Sequence, residues 1–289
     1  MNRPAPRLAE RLYAATGREV GALSPLSGGC IAEVYKVAFE DGSVCVAKVG
    51  TAGGAGDGLL VEAFMLDYLA RESALPVPAV LHAADDLLLI AFIETEGGLD
   101  AAAEEHAAEL LAALHAKTAP AFGFERDTLI GPLPQPNPWT ESWLDFFREQ
   151  RLHAMGRLAH ARGRLPAESL ARLERFCGRL ERFIETGSAP ALIHGDVWGG
   201  NVLTRRGRIA AFVDPAIYYA DPEIELAFST LFGTFGAAFF RRYQELRPIA
   251  PDFFEARRDI YNLYPLLVHT ALFGGHYGAS VDSVLRRYG

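Results

Sequence analysis

The apolar pattern changes near residue 93, and that split constrains the fold more than any other feature of the sequence. Before it, Val34–Phe39 and Ser43–Val49 flank Asp41-Gly42, a strong hairpin signal. Val80–His82 and Leu87–Ile93 form a second strand pair around Asp85-Asp86. Between the pairs, Leu59–Arg71 sets Leu60, Phe64, Leu66 and Leu69 along one side, which predicts a helix that Pro76 and Pro78 break. Residues 5–17 read as a leading helix stopped by Gly17. After residue 93 the texture is helical, with helices expected over Ala101–Lys117, Trp139–Arg157, Pro166–Thr186, Pro222–Phe240 and Phe253–Phe273. The Gly- and Pro-rich Phe122–Pro138 reads as an ordered loop, and a short hairpin is expected from Val202–Thr204 and Ile209–Val213. The class is therefore α+β. A β-rich lobe over residues 1–93 precedes a helical lobe over residues 94–289, and the cleft between two such lobes is a natural ligand site.

Charge and cysteines narrow the partners. A net charge of -8 gives no broad reason to bind nucleic acid or an anionic membrane, so an anionic ligand needs a local positive site. The uncharged run Leu226–Phe240 is too short to span a bilayer and reads as a buried helix. The N-terminus lacks the apolar core of a signal peptide. Cys30, Cys45 and Cys177 form no CxxC pair, which argues against zinc and a disulfide framework and for a reducing cytoplasm.

The chemistry concentrates in IHGDVWGGNVL, residues 193–203. Phosphoryl transfer from ATP needs a base for the acceptor hydroxyl and oxygen ligands for magnesium. Asp196 supplies the first and Asn201, five residues on, supplies a neutral oxygen for Mg²⁺. Asp214 lies eighteen residues beyond Asp196, where a strand stops after one hairpin, and supplies a second hard oxygen. His194 is expected to hold the loop by hydrogen bonds. In the first lobe, Ser27-Gly28-Gly29-Cys30 is either a plain turn or a loop that covers phosphate through backbone N–H groups. Lys48 ends the apolar strand Val-Cys-Val-Ala-Lys and is preferred over Lys36 as the phosphate cation, with Glu62 on the next helix as its partner.

Longer stretches carry a resemblance. HGDVWGGN, DPAIYYADPEIELA, LFGTFG and YNLYPLLVHTALFGGHY resemble the fructosamine kinase (ketosamine 3-kinase) family, as do LSGGCIAEVYKV and FGFERDTLIGPLPQPNPWTESWLDFFREQRL. The resemblance covers nearly the whole chain. It implies a protein-kinase-like bilobal fold and ATP-dependent phosphorylation of the 3-hydroxyl of a ketosamine, with deglycation as the outcome. It also implies that Ile90, Ala91, Phe92 and Ile93 form the hinge against adenine. Trp198 then either packs on the sugar or anchors its loop, and His269 either faces the substrate or is a core histidine. The family usually has Glu where this chain has Ala91, which main-chain adenine contacts tolerate. Ala220 and Pro222-Glu223 depart on the substrate side and leave the acceptor open. A monomer is expected. Oxidation of Cys30, a disulfide-linked dimer being one product, would block ATP. Two rivals remain: an aminoglycoside- or choline-kinase type, with Asp221, Glu223 and Glu225 gripping a cationic acceptor, and a nucleotide-binding pseudokinase.

Overall fold

The computed structural model describes residues 6–26, 32–50, 58–184 and 187–289. Gly28, Gly29, Cys30 and nearly all of the Thr51–Gly58 loop lie outside them, and with them the expected phosphate loop and the Cys30 switch.

Helix α1 (Pro6–Thr16) leads into strands β1 (Val20–Pro25), β2 (Ala32–Phe39) and β3 (Val44–Gly50). Helix α2 (Gly58–Glu72) follows, then β4 (Val80–Ala84) and β5 (Leu87–Ala91). The five strands form one antiparallel sheet in the order β1-β2-β3-β5-β4. Successive side chains on a strand point to opposite faces. Cys45, Ala47, Leu87 and Leu89 therefore pack under α1 with Leu8 and Leu12. The alternate residues, Leu88 and Ile90 with Val46, meet Leu59, Ala63 and Leu66 of α2. Lys48 shares the face of Val46, which turns it toward α2.

Beyond Ala91 the chain is mostly helical. Helix α3 (Ala101–His115) is capped by Asp100, whose carboxylate accepts from Ala103 N–H. The Gly- and Pro-rich segment is more than a loop: β6 (Thr128–Ile130) and β7 (Leu133–Gln135) pair within it. The next helix starts at Trp143 rather than Trp139, because Thr140 bonds back to Phe122 and Ser142 caps the first turn. It runs from α4 (Trp143–Phe146) through a wider π-helical stretch, Phe147–His153, into α5 (Ala154–Ala161). Helix α6 (Ala167–Cys177) ends at Gly178, well short of the expected Thr186, as a poor helix former follows its last apolar residue.

Strand β8 (Ala191–Ile193) pairs with β11 (Tyr218–Ala220), and β9 (Val202–Arg205) with β10 (Arg208–Phe212). The single helix expected over Pro222–Phe240 is two, α7 (Glu223–Leu231) and α8 (Ala237–Leu246). Gly233 adopts φ of +63°, the left-handed geometry that ends helices. The last expected helix is present as π-helical turns at Phe253–Arg257, α9 (Arg258–Tyr261) and α10 (Leu263–Phe273). Helix α11 (His276–Tyr288), not anticipated, closes the chain. One large apolar core joins these helices, while the sheet keeps two smaller cores of its own. No helix among the described residues is long and apolar enough to cross a membrane.

Candidate active site

Buried strand β8 delivers the chain to His194, and the loop that follows is braced from three sides. His194 C=O accepts from Ala216 N–H at 2.7 Å, and Asp196 N–H donates to His194 Nδ1 at 3.3 Å. Burial lowers the pKa of His194 and keeps it neutral, so its role is to hold the loop. Gly195 has φ of +86°, and a Cβ there would stand 2.0 Å from the carbonyl oxygen of Ala216, so no other residue fits this crossing. Gly195 N–H donates to Glu225 Oε1 at 2.6 Å.

Glu225, expected under the rival reading to grip a cationic acceptor, is instead a structural residue. It is buried on α7, and its other oxygen accepts from His115 Nε2–H at 2.8 Å. The hydroxyl of Tyr243 lies 2.7 Å from His115 Nδ1 and completes the network. Burial pushes the Glu225 carboxyl up, but the hydrogen bonds it accepts from His115 and the Gly195 N–H carry it below its ordinary value. The sequence signal was the spacing of Glu225 among Ile224, Leu226 and Ala227, all core-facing.

Asp196 and Asn201 meet as the spacing suggested. Asn201 Nδ2 donates to the backbone oxygen and to Oδ2 of Asp196, each at 2.9 Å. The amide hydrogens thus face Asp196, and among the described residues Asn201 Oδ1 has no donor. Burial, then the neighbouring Asp214 charge, push the Asp196 carboxyl up to about 8, against the pull of Asn201.

Asp214 follows β10 with φ of +55°, a left-handed conformation uncommon for a residue with a Cβ. It turns its carboxylate to Lys48, which also pairs with Glu62 Oε1 at 2.5 Å. Lys48 is 7% exposed and Glu62 6%. Burial alone would depress the lysine, but the two carboxylates hold it above its ordinary value, so it stays a cation. The rival Lys36 is engaged elsewhere, with Nζ 4.1 Å from the centre of the Phe92 ring. Ile90 and Ala91 end β5, paired to β3 across from Val46 and Cys45, while Phe92 and Ile93 lie just past the strand.

Lys48, Glu62, Asp196, Asn201 and Asp214 line one cavity of ≈ 120 Å³. Asp196 and Trp198 also line a second cavity, of ≈ 420 Å³, together with His269. Trp198 is no core anchor. It is 41% exposed, and its indole lies across Gly200, where a Cβ would stand 2.4 Å from the ring. His269 donates from Nδ1 to Pro265 C=O at 2.7 Å, which leaves Nε2 as the ring's acceptor. A base between a cation-and-oxygen end and an aromatic end can pass a proton off a hydroxyl while charge moves at the other side.

The sequence profile of the fructosamine kinase family matches residues 5–288. The chain belongs to this family. A Synechocystis protein assigned as a candidate ketoamine kinase is 34% identical over 99% of this chain and 98% of its own. The chloroplastic protein-ribulosamine 3-kinase of Arabidopsis thaliana is 31% identical over 93% of this chain and 83% of its own. Among solved structures, a candidate fructosamine-3-kinase of Thermobifida fusca superposes with a TM-score of 0.86 at 32% identity, covering 96% of this chain and 97% of its own. Likeness of fold extends to an aminoglycoside phosphotransferase solved with gentamicin, with a TM-score of 0.71 at 17% identity over 100% and 98% of the two chains. The fold is therefore kinase-like, and this family member is an ATP-using phosphotransferase of the ketosamine kinase type.

Proposed function

We propose that the protein transfers the γ-phosphoryl group of ATP to the 3-hydroxyl of a ketosamine, and that the phosphorylated sugar then leaves its amine. Residues 1–93 form the ATP-binding lobe and residues 94–289 the catalytic and acceptor lobe in this reading. The observation that carries it is the shared cavity wall. Asp196 stands where the Lys48–Asp214 end meets the aromatic end.

In the proposed step Asp196 accepts the proton of the acceptor hydroxyl. The freed oxygen bonds to the γ-phosphorus as the bond to the ADP oxygen breaks. Lys48, held by Glu62, faces the phosphates, and Ile90–Ile93 face adenine. Asn201 Oδ1 and Asp214 fit magnesium, being hard oxygens that among the described residues meet no donor but Lys48. When bound, Mg²⁺ neutralises charge building on the transferring group. Trp198 packs on the sugar, and His269 Nε2 accepts from a substrate donor. A reducing cytoplasm and a monomeric state complete the reading.

The acids expected to grip a cationic acceptor are spent on the fold, which argues against an aminoglycoside substrate. Asp221 accepts from the Tyr261 hydroxyl, Glu223 pairs with Arg257, and Glu225 braces Gly195. The test is ADP release with Mg-ATP on ribulose-lysine and fructose-lysine against kanamycin. Turnover on a ketosamine, lost in Asp196→Asn, is the expected result. Turnover on kanamycin alone overturns the acceptor. ATP binding without turnover on any of them favours a pseudokinase.

A further inference from the structure

The larger cavity says something about the other half of the acceptor. It runs from Asp196 to the outer ends of α10 and α11. A chain of rings marks its course. Phe232 lies 6.1 Å from Trp198, His269 5.1 Å from Phe232, and Phe273 and Tyr277 5.8 and 4.9 Å from His269. Phe232 is 41% exposed and Phe273 56%, so large apolar surfaces meet solvent together at one rim. Apolar surface grouped around a cavity marks a place that is covered in use.

Charge is what this cavity lacks. Among the described residues that line it there is no Lys or Arg, and the acids are Asp196 and Glu225 alone. Asp196 is the proposed base, and both oxygens of Glu225 are taken by Gly195 and His115. His269 is neutral, as burial lowers its pKa. A carboxylate carried into this space would find no cation among the described lining residues, since Arg162 and Arg164, near the end of α10, are turned to the Ala271 carbonyl, and a buried charge without a protein partner is strongly disfavoured.

Resting on the ketosamine reading, we propose that the site selects acceptors whose amine half is an uncharged apolar group, aryl or alkyl. That group would lie against Phe232, Leu272, Phe273 and Tyr277, with the sugar between Trp198 and Asp196. The volume of ≈ 420 Å³ falls in the range of sites for compact organic ligands. The sugar's own hydroxyls need Asp196 and His269, which leaves the ring-lined end to something without polar demands. Adducts on the α-amine of an amino acid are the disfavoured class, because their carboxylate sits beside that amine; an adduct on the ε-amine of lysine presents an alkyl chain first and carries its charges out past the ring-lined end.

Three ribulosamines test this by kcat/KM: those of benzylamine, methylamine and glycine. The benzylamine adduct should exceed the methylamine adduct by about tenfold or more, as expected for filling an apolar pocket. The glycine adduct should fall below the methylamine adduct by a similar factor. In Phe273→Ala the benzyl-to-methyl ratio should collapse toward unity. In Phe273→Arg the glycine-to-methyl ratio should rise. These ratios are internal to each variant, so general damage to the fold does not mimic them. A glycine adduct as good as the methylamine adduct, or a benzylamine adduct no better than it, overturns the proposal while leaving the kinase reading intact. Absence of turnover on all three overturns the ketosamine reading and the proposal with it.

Discussion

Asp196 is asked to be a base inside a group of acids. Its carboxyl titrates near 8 rather than 3.8 because burial and Asp214 oppose its charge. Unfolded, it ionises near 3.8; folded and metal-free, it holds its proton until about 8. The unfolded chain therefore binds fewer protons between those values, and the stability of the metal-free protein falls as pH rises through that window. Asp196→Asn should flatten this slope in EDTA, with about 1–2 kcal/mol less loss between pH 5 and pH 8, after allowance for the residue's partial exposure. Urea midpoints across pH give the comparison. The same variant should lower kcat by roughly 10²–10⁴-fold with Mg-ATP and ketosamine. Glu62→Ala strips a buried partner from Lys48 and should cost about 3 kcal/mol, with a raised KM for ATP in steady-state assays. The grouping of these residues was legible at this scale. Asp196, Asn201, Asp214 and Lys48 stood out by chemistry and spacing, with Glu62 as the lysine's partner on the next helix, and the structure gathers all five around one cavity. Glu225 did not. Its partners His115 and Gly195 lie 110 and 30 residues away in the chain, and local pattern says nothing of such pairings.

At the scale of elements, the catalytic loop is held by backbone fit and by α7. Gly195→Ala should abolish soluble activity, since its Cβ collides with the Ala216 carbonyl and the residue's positive φ disfavours any side chain. Glu225→Ala leaves His115 and the Gly195 N–H without their acceptor. A loss of about 3 kcal/mol and a fall in kcat of about tenfold or more should appear in denaturation and turnover assays. Glu225→Gln, which keeps an acceptor oxygen, should fall between it and the parent. Cys45 belongs to the core under α1 and Cys177 to the large helical core, and burial raises their thiols to about 11 and about 12. Peptide mapping after alkylation at pH 8 should find both unmodified in the native protein and modified in urea. Strand periods read well wherever the residues were plainly apolar, as in β3 and β5; in α2 the helix was expected but its buried side was not, since Leu60 is exposed and Leu59, Ala63 and Leu66 meet the sheet. Helix periods failed where apolar residues ran on through a break. Leu226–Phe240 reads as one buried helix by hydropathy, and Gly233 in left-handed geometry divides it.

For the whole molecule, the sheet keeps two small cores, the large core reaches from the helices to Met65 and Leu69 of α2, and the Lys48–Asp214 contact ties the two parts beside the small cavity. A nucleotide binding there engages both sides. An ATP analogue with Mg²⁺ at a hundredfold excess over its Kd should add about 2.7 kcal/mol of stability. Calorimetry should register it in the parent and find it much reduced in Lys48→Met. The change of texture near residue 93 revealed the two-part layout, because a sheet and a helical bundle need different apolar periods. The closing helix α11 was not foreseen, since Gly274, Gly275 and Gly278 read as a break although the residues around them are one-sidedly apolar.

The break between α7 and α8 has a consequence beyond folding. Phe232 stands on it, outside the regular turns, while Glu225 one helix away fixes the loop that does the chemistry. The wall that chooses the acceptor and the brace that steadies the base therefore answer to different selective pressures. A lineage can wander among acceptors by exchanging residues on the connecting turn, with the reacting groups left in place, and laboratory evolution of new specificity has its natural entry point there.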